Sequence, residues 1–123
     1  MFLTHGMNVA DALGRDATST AMSAAVLHEI PESTYWTIED LASWGVNPLV
    51  CEVLSLLTPR GGEPYMDYIR RICEAPGLAG DTARQVKVAD LRVSVDRENS
   101  DMLRARYEQS LPLIQTALVA ATH

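Results

Sequence analysis

The sequence predicts an all-α fold, one compact bundle of about six to seven helices spanning residues 1–123, and three observations carry that reading. Apolar residues recur at helical spacing along most of the chain, as in Leu49, Val50, Val53, Leu54 and Leu57. Strand-like alternation of β-branched residues is confined to Val86, Val88, Val93 and Val95, and there Val88, Leu91 and Val95 also fit a helical stripe. Glycine, proline and capping residues punctuate the periodic runs where helices start and stop. At 123 residues the chain has the length of one domain, and dividing it would leave each half short of core.

Each helix can be bracketed in turn. The first is expected over Gly6 to Leu13, with Gly14 as the residue that ends it. The second runs from about Thr18 to Ile30, rich in alanine, and stops at Pro31. The third starts at Thr37, whose hydroxyl can cap the turn carrying Asp40, and ends at Trp44-Gly45. Asn47-Pro48 supplies a cap and a proline at the first helical position for the fourth. After the break at Pro59-Arg60-Gly61-Gly62, a fifth helix covers Pro64 to Glu74 and is closed by Pro76-Gly77. A sixth spans roughly Asp81 to Val95. The last opens at Ser100 or Asp101 and reaches about Ala121, with Pro112 kinking or dividing it.

Composition excludes several classes of function. With 47% hydrophobic and 21% charged residues the chain has ordinary globular composition. A formal net charge of -6, with scattered Lys and Arg, argues against a nucleic-acid partner, whose phosphates demand clustered cations. An anionic small ligand stays compatible, because a local cation can overrule the global charge. No run of 18 apolar residues is present, so no membrane partner is expected, and the first residues lack the pattern of a signal peptide. A cytoplasmic protein is the expectation. Cys51 and Cys73 sit in apolar-periodic stretches and read as buried thiols rather than a disulfide. Trp36 and Trp44 read as core or rim packing rather than pocket walls.

Three polar spots interrupt otherwise apolar helical faces: the doublet His28-Glu29, Asp90, and His5 at the start of the first helix. Imidazole and carboxylate are the usual ligands of a divalent first-row metal, and helices that converge can bring such groups together inside a bundle. Spacing alone leaves other roles open. His28 and Glu29 can form a hydrogen-bonded pair, Asp90 can form an ion pair with Lys87 or Arg92, and His5 can lie on the surface.

Four segments, read in order, go further: residues 5–13 (HGMNVADAL), 24–46 (AAVLHEIPESTYWTIEDLASWGV), 54–72 (LSLLTPRGGEPYMDYIRRI) and 83–96 (ARQVKVADLRVSVD). The series resembles the HD-domain metal-dependent phosphohydrolases, in the branch of the alarmone (guanosine tetraphosphate) pyrophosphohydrolases and their small stand-alone relatives. The resemblance covers nearly all of residues 5–110. It implies metal ligands at His5, His28, Glu29 and Asp90, with Glu29 standing where that branch has aspartate. It implies that Glu32 orients or activates the attacking water, and that Lys87, Arg92 and Ser94 are placed for substrate. The implied cofactor is one divalent cation, manganese first. The implied reaction is hydrolysis of a phosphate ester or pyrophosphate of a nucleotide, a guanosine polyphosphate first.

The sequence also departs from that branch. Glu29 adds a methylene, moving its oxygens by more than about 1 Å where coordination tolerates about 0.2 Å. Ser33 stands in place of a carboxylate, Ser94 in place of an asparagine, and Pro31 stiffens the turn that carries Glu32. Relatives carry a further helix ahead of the segment that starts this chain, so uncovered apolar surface and a homodimer are expected. The competing expectation is a catalytically inactive HD-fold module that binds a nucleotide or a protein partner.

Overall fold

The computed structural model describes residues 3–121, and every regular element among them is helical. In chain order these are α1 (Leu3–Leu13), α2 (Ser19–Leu27), α3 (Ile30–Ser33), α4 (Ile38–Ser43), α5 (Pro48–Leu57), α6 (Tyr65–Glu74), α7 (Gly77–Arg97) and α8 (Asp101–Ala121). Seven of these are helices of six residues or more. The remaining one, α3, is a single turn. The all-α expectation holds.

Local chemistry sets the boundaries. The Thr18 hydroxyl accepts from the Ala21 amide at 3.1 Å and caps α2. Thr37 and Asp40 form both halves of a capping box on α4, with hydrogen bonds of 3.1 and 2.9 Å. The Asn47 side chain accepts from the Leu49 amide at 2.8 Å, ahead of Pro48, where the missing N–H costs nothing. Gly14 and Gly45 close α1 and α4 with φ of +88° and +95°, a conformation that L side chains resist.

Three boundaries differ from the sequence expectation, the first being the start of α1 at Leu3 rather than Gly6. Helix α2 ends at Leu27, not Ile30, and Pro31 does not terminate a helix but lies in the first turn of α3, where it has no hydrogen bond to lose. Helix α7 begins at Gly77, so only Ala75 and Pro76 separate it from α6. Gly80 makes that tight corner possible: a Cβ there would meet the Ala75 carbonyl oxygen at 2.0 Å. Pro112 lies inside α8 without dividing it.

Helix α7 runs through the middle, packed against α1, α2, α5, α6 and α8. Its residues from Ala79 to Leu91 are almost all buried, which is why its apolar pattern shows no single stripe. One continuous core joins Val9, Ala24, Val53, Leu54, Ile69, Ile72, Val86, Leu91 and Ile114. Arg84, buried in α7, donates to the carbonyls of Ile72, Cys73 and Ala75 and so satisfies the end of α6.

Of the side-chain expectations, the tryptophans take the rim alternative, and the burial of Cys51 and Cys73 needs correction. Trp36 and Trp44 are not in the core: they are 51% and 59% exposed and stack edge to face on each other at 5.5 Å. Cys51 and Cys73 are free, as expected, but only partly buried. No helix among the described residues is long and apolar enough to cross a membrane.

Candidate functional site

Three helices far apart in sequence bring His5, His28 and Asp90 together. His5 sits in the first turn of α1, His28 caps the C-terminus of α2, and Asp90 lies in the buried stretch of α7. Nε2 of His5 is 2.6 Å from Oδ1 of Asp90, and Nε2 of His28 is 3.7 Å from the same oxygen. The two imidazole rings meet edge to face at 5.4 Å. Ligand atoms of all three residues lie within 4.8 Å of one another.

The orientation of His28 is fixed by its own helix end. Its Nδ1 is 2.6 Å from the Ala25 carbonyl oxygen, which can only accept, so Nδ1–H donates and Nε2 faces Asp90. The other oxygen of Asp90 accepts from Nζ of Lys87 at 2.9 Å, a pair formed across one turn of α7. Lys87 also lies 5.0 Å over the ring of Tyr68, whose hydroxyl donates to the Leu57 carbonyl at 2.6 Å. Of the two partners open to Asp90 in the sequence, the structure selects Lys87.

Burial and charge act against each other here. Burial alone would raise the Asp90 carboxyl, but the Lys87 charge and the His5 hydrogen bond outweigh it and hold Asp90 ionised, far below the usual range. Burial would likewise lower the Lys87 ammonium, and the Asp90 charge reverses that and raises it. The hydrogen bond that His5 donates to Asp90 raises His5 above its ordinary value in spite of partial burial. Burial of the carboxyl raises Glu32.

The cluster opens into a cavity of about 500 Å³. Seven of the eight residues singled out from the sequence line it: His5, His28, Glu29, Glu32, Lys87, Asp90 and Ser94. Arg92 does not. It is exposed on α7 and lines a separate groove with Leu13, Asp16 and Gln85, because residues 90 and 92 are two apart on a helix and face different sides. Glu29 approaches His5 at 4.0 Å but does not join the three-residue cluster. Lys87 reaches the cavity with its ammonium already committed to Asp90, which makes it an anchor of the carboxylate rather than a free phosphate contact.

The donor set fits a divalent metal. Ligands about 2.1 Å from a shared first-row ion stand roughly 3–3.5 Å apart. The 2.6 and 3.7 Å separations on Asp90 Oδ1 bracket that spacing. His5 would exchange its hydrogen bond for coordination.

The opposite contribution to the cavity comes from residues that sequence reasoning did not single out: Glu63, Tyr65 and Tyr68 around α6, and Arg106 and Tyr107 on α8. Tyr65 and Tyr68 are three apart and share a helix face, a signal that spacing could have given. Arg106 and Tyr107 fall on a long amphipathic helix whose polar face looks ordinary in sequence. No protein-family model matches the chain, and no curated protein matches it in sequence.

Proposed function

We propose that the chain is a metal-dependent phosphohydrolase of the HD type acting on a phosphorylated nucleotide. The observation that carries this reading is the convergence of His5, His28 and Asp90 at the wall of a nucleotide-sized cavity, with Glu32 beside them. His5, His28 and Asp90 would hold the cation, with Glu29 within reach on a small shift of its longer side chain. A bound divalent cation, manganese first, supplies Lewis-acid polarisation of a phosphoryl oxygen and lowers the pKa of a water.

The chain's own groups do the rest. Lys87 keeps Asp90 ionised and in place, and Ala25 keeps His28 in the tautomer that presents Nε2. The Glu32 carboxylate, on the rigid turn that follows Pro31, accepts the proton of the attacking water. The Ser94 hydroxyl donates to a phosphoryl oxygen from the next turn of α7.

The test is manganese binding followed by phosphate release from a panel of nucleoside mono- and polyphosphates. His28→Ala is expected to lose both. Glu32→Gln is expected to keep manganese and lose about 10²–10⁴-fold in turnover. Turnover undiminished in Glu32→Gln removes the assigned base, and no manganese binding in the wild-type protein ends the hydrolase reading.

One observation favours a second reading, an inactive HD-fold module that binds a nucleotide or a second copy of itself. Asp90 is satisfied without a cation, by His5 on one oxygen and Lys87 on the other. Nucleotide-induced thermal stabilisation without turnover, together with a dimer in light scattering that survives chelator, is the outcome this reading requires.

A further inference from the structure

The whole formal net charge of the chain lies in one stretch. Residues 16–59 hold six of the sixteen carboxylates and none of the ten Lys and Arg, whereas the rest of the chain holds ten of each and is formally neutral. That stretch contains α2 to α5, and its aromatic residues lie exposed around α4. Trp36 precedes this helix, Trp44 caps its C-terminus, and their indoles touch edge to face at 5.5 Å. Tyr35, next to Trp36 in the chain, is fully exposed. Glu39 is exposed in the first turn of α4, and among the described residues neither it nor Asp40 forms an ion pair. The cations that stack on aromatic rings use Tyr65 and Tyr68, and among the described residues none stacks on Tyr35, Trp36 or Trp44. Indole is the strongest cation–π acceptor of the side chains, so the best faces for a cation stand unused in the part of the molecule that has no Lys or Arg of its own.

We propose that the tryptophan pair at α4, with Glu39 and Asp40 between its members in the chain, is a docking surface for an arginine-bearing segment of a partner protein. The case is charge complementarity on an exposed aromatic patch. A guanidinium lies flat on an indole while its in-plane N–H groups donate to a carboxylate, a combination that an ammonium does not match. Tryptophan and tyrosine are also the side chains on which interfaces concentrate their binding energy. Tyr35 is fully exposed and the indoles about half exposed, so the rings form an open surface rather than an enclosing cage. A small free cation would keep most of its water there, whereas a chain segment covers rings and carboxylate together. An anionic partner is repelled by the same charge that attracts a basic one. The surface stands apart from the hydrolase reading, because neither tryptophan nor Glu39 lines the cavity of the histidine–aspartate cluster.

Trp36 and Trp44 are the only tryptophans of the chain, so intrinsic fluorescence reports on this surface alone. The experiment titrates the full chain with a capped hexa-arginine peptide, with hexaglutamate and spermine as comparison probes. Hexa-arginine should give a saturable change that weakens as salt is raised. Hexaglutamate should give none, and spermine should bind more weakly than the peptide. In calorimetry, Trp36→Leu, Trp44→Leu and Glu39→Gln should each weaken peptide binding by about 2–5-fold, the size of one exposed cation–π or ion-pair contact. Melting temperatures establish that each variant is folded. Glu74→Gln, which removes an exposed carboxylate from α6, should bind as the wild type does. No fluorescence change, wild-type binding in both leucine variants, equal weakening in Glu39→Gln and Glu74→Gln, or spermine bound as tightly as the peptide overturns the proposal. So does a dimer in light scattering that dissociates in Trp44→Leu, which would give the surface to a second copy of the chain.

Discussion

Asp90 shows how much one buried residue can carry. Its carboxylate is bound on both oxygens, to His5 and to Lys87, and Lys87 has no other carboxylate within ion-pair distance among the described residues. Removing one member of a buried pair leaves an uncompensated charge, which costs about 3–5 kcal/mol, whereas replacing both by apolar groups is near neutral or stabilising. Asp90→Ala is therefore expected to lower unfolding free energy by an amount in that range, and the double change Lys87→Met/Asp90→Leu to recover most of it. Urea unfolding of the three proteins measures this, and a single variant within about 1 kcal/mol of wild type contradicts it. Asp90 and His28 stood out in the sequence because each interrupts an apolar face, although spacing alone left a hydrogen-bonded pair or an ion pair open for them. Arg92 was misplaced for a related reason: resemblance in order along the chain does not say which side of a helix a residue faces. Arg106 was invisible, because a charged residue on an exposed helix is ordinary until a neighbouring helix turns that face into a cavity wall.

At the scale of elements, caps and breakers were the most legible features, since they act within three or four residues and need no tertiary context. Thr37–Asp40 and Asn47–Pro48 behave as the sequence implies. The failures at α2 and at the α6–α7 corner have tertiary causes. His28 leaves the helix to point at Asp90, and Gly80 allows α7 to start against the end of α6. The segment before α6 is held by a different device. Arg71 pairs with both oxygens of Glu63 at 2.9 Å and donates to the carbonyls of Leu56 and Thr58, tying the Pro59–Gly62 break to α6. The Arg71 hydrogen bonds, helped by the Arg60 amide, pull Glu63 down from 4.5 to about 2. A lowered folded-state value means the pair stabilises fully above the unfolded value and loses that contribution as pH falls through the folded one. The gap in melting temperature between wild type and Glu63→Gln should be constant above about pH 5 and should close as pH falls toward about 2. A gap of unchanged size across that window would remove Glu63 ionisation from the account of this loop.

For the molecule as a whole, the site exists only because α1, α2 and α7 are docked, and His5 and Asp90 are 85 residues apart in the chain. That separation is why the sequence could nominate the residues one by one but could not bring them together without the ordered resemblance. The docking has an identifiable weak point beside the cluster. Gly6 is buried where α1 crosses the last turn of α2, and a Cβ there would meet the Val26 carbonyl oxygen at 2.5 Å and the Ala25 oxygen at 3.0 Å. Both contacts are backbone, which cannot swing aside as a side chain can, and the Ala25 oxygen is the group that orients His28. Gly6→Ala should therefore push α1 off α2, cost about 1–3 kcal/mol through overpacking, and move His5 away from His28. Its effect on manganese affinity should exceed what lost stability alone explains, because a displaced ligand weakens binding in the folded protein. Gly61→Ala is the matched control: position 61 is exposed, has open space around a Cβ and needs no positive φ, so stability and metal binding should both be unchanged. Chemical unfolding and manganese titration of the two variants decide the matter. A Gly6→Ala protein with wild-type stability would mean that α1 can shift along α2 at no cost, and with wild-type manganese affinity as well, that the position of His5 is not set by this helix contact.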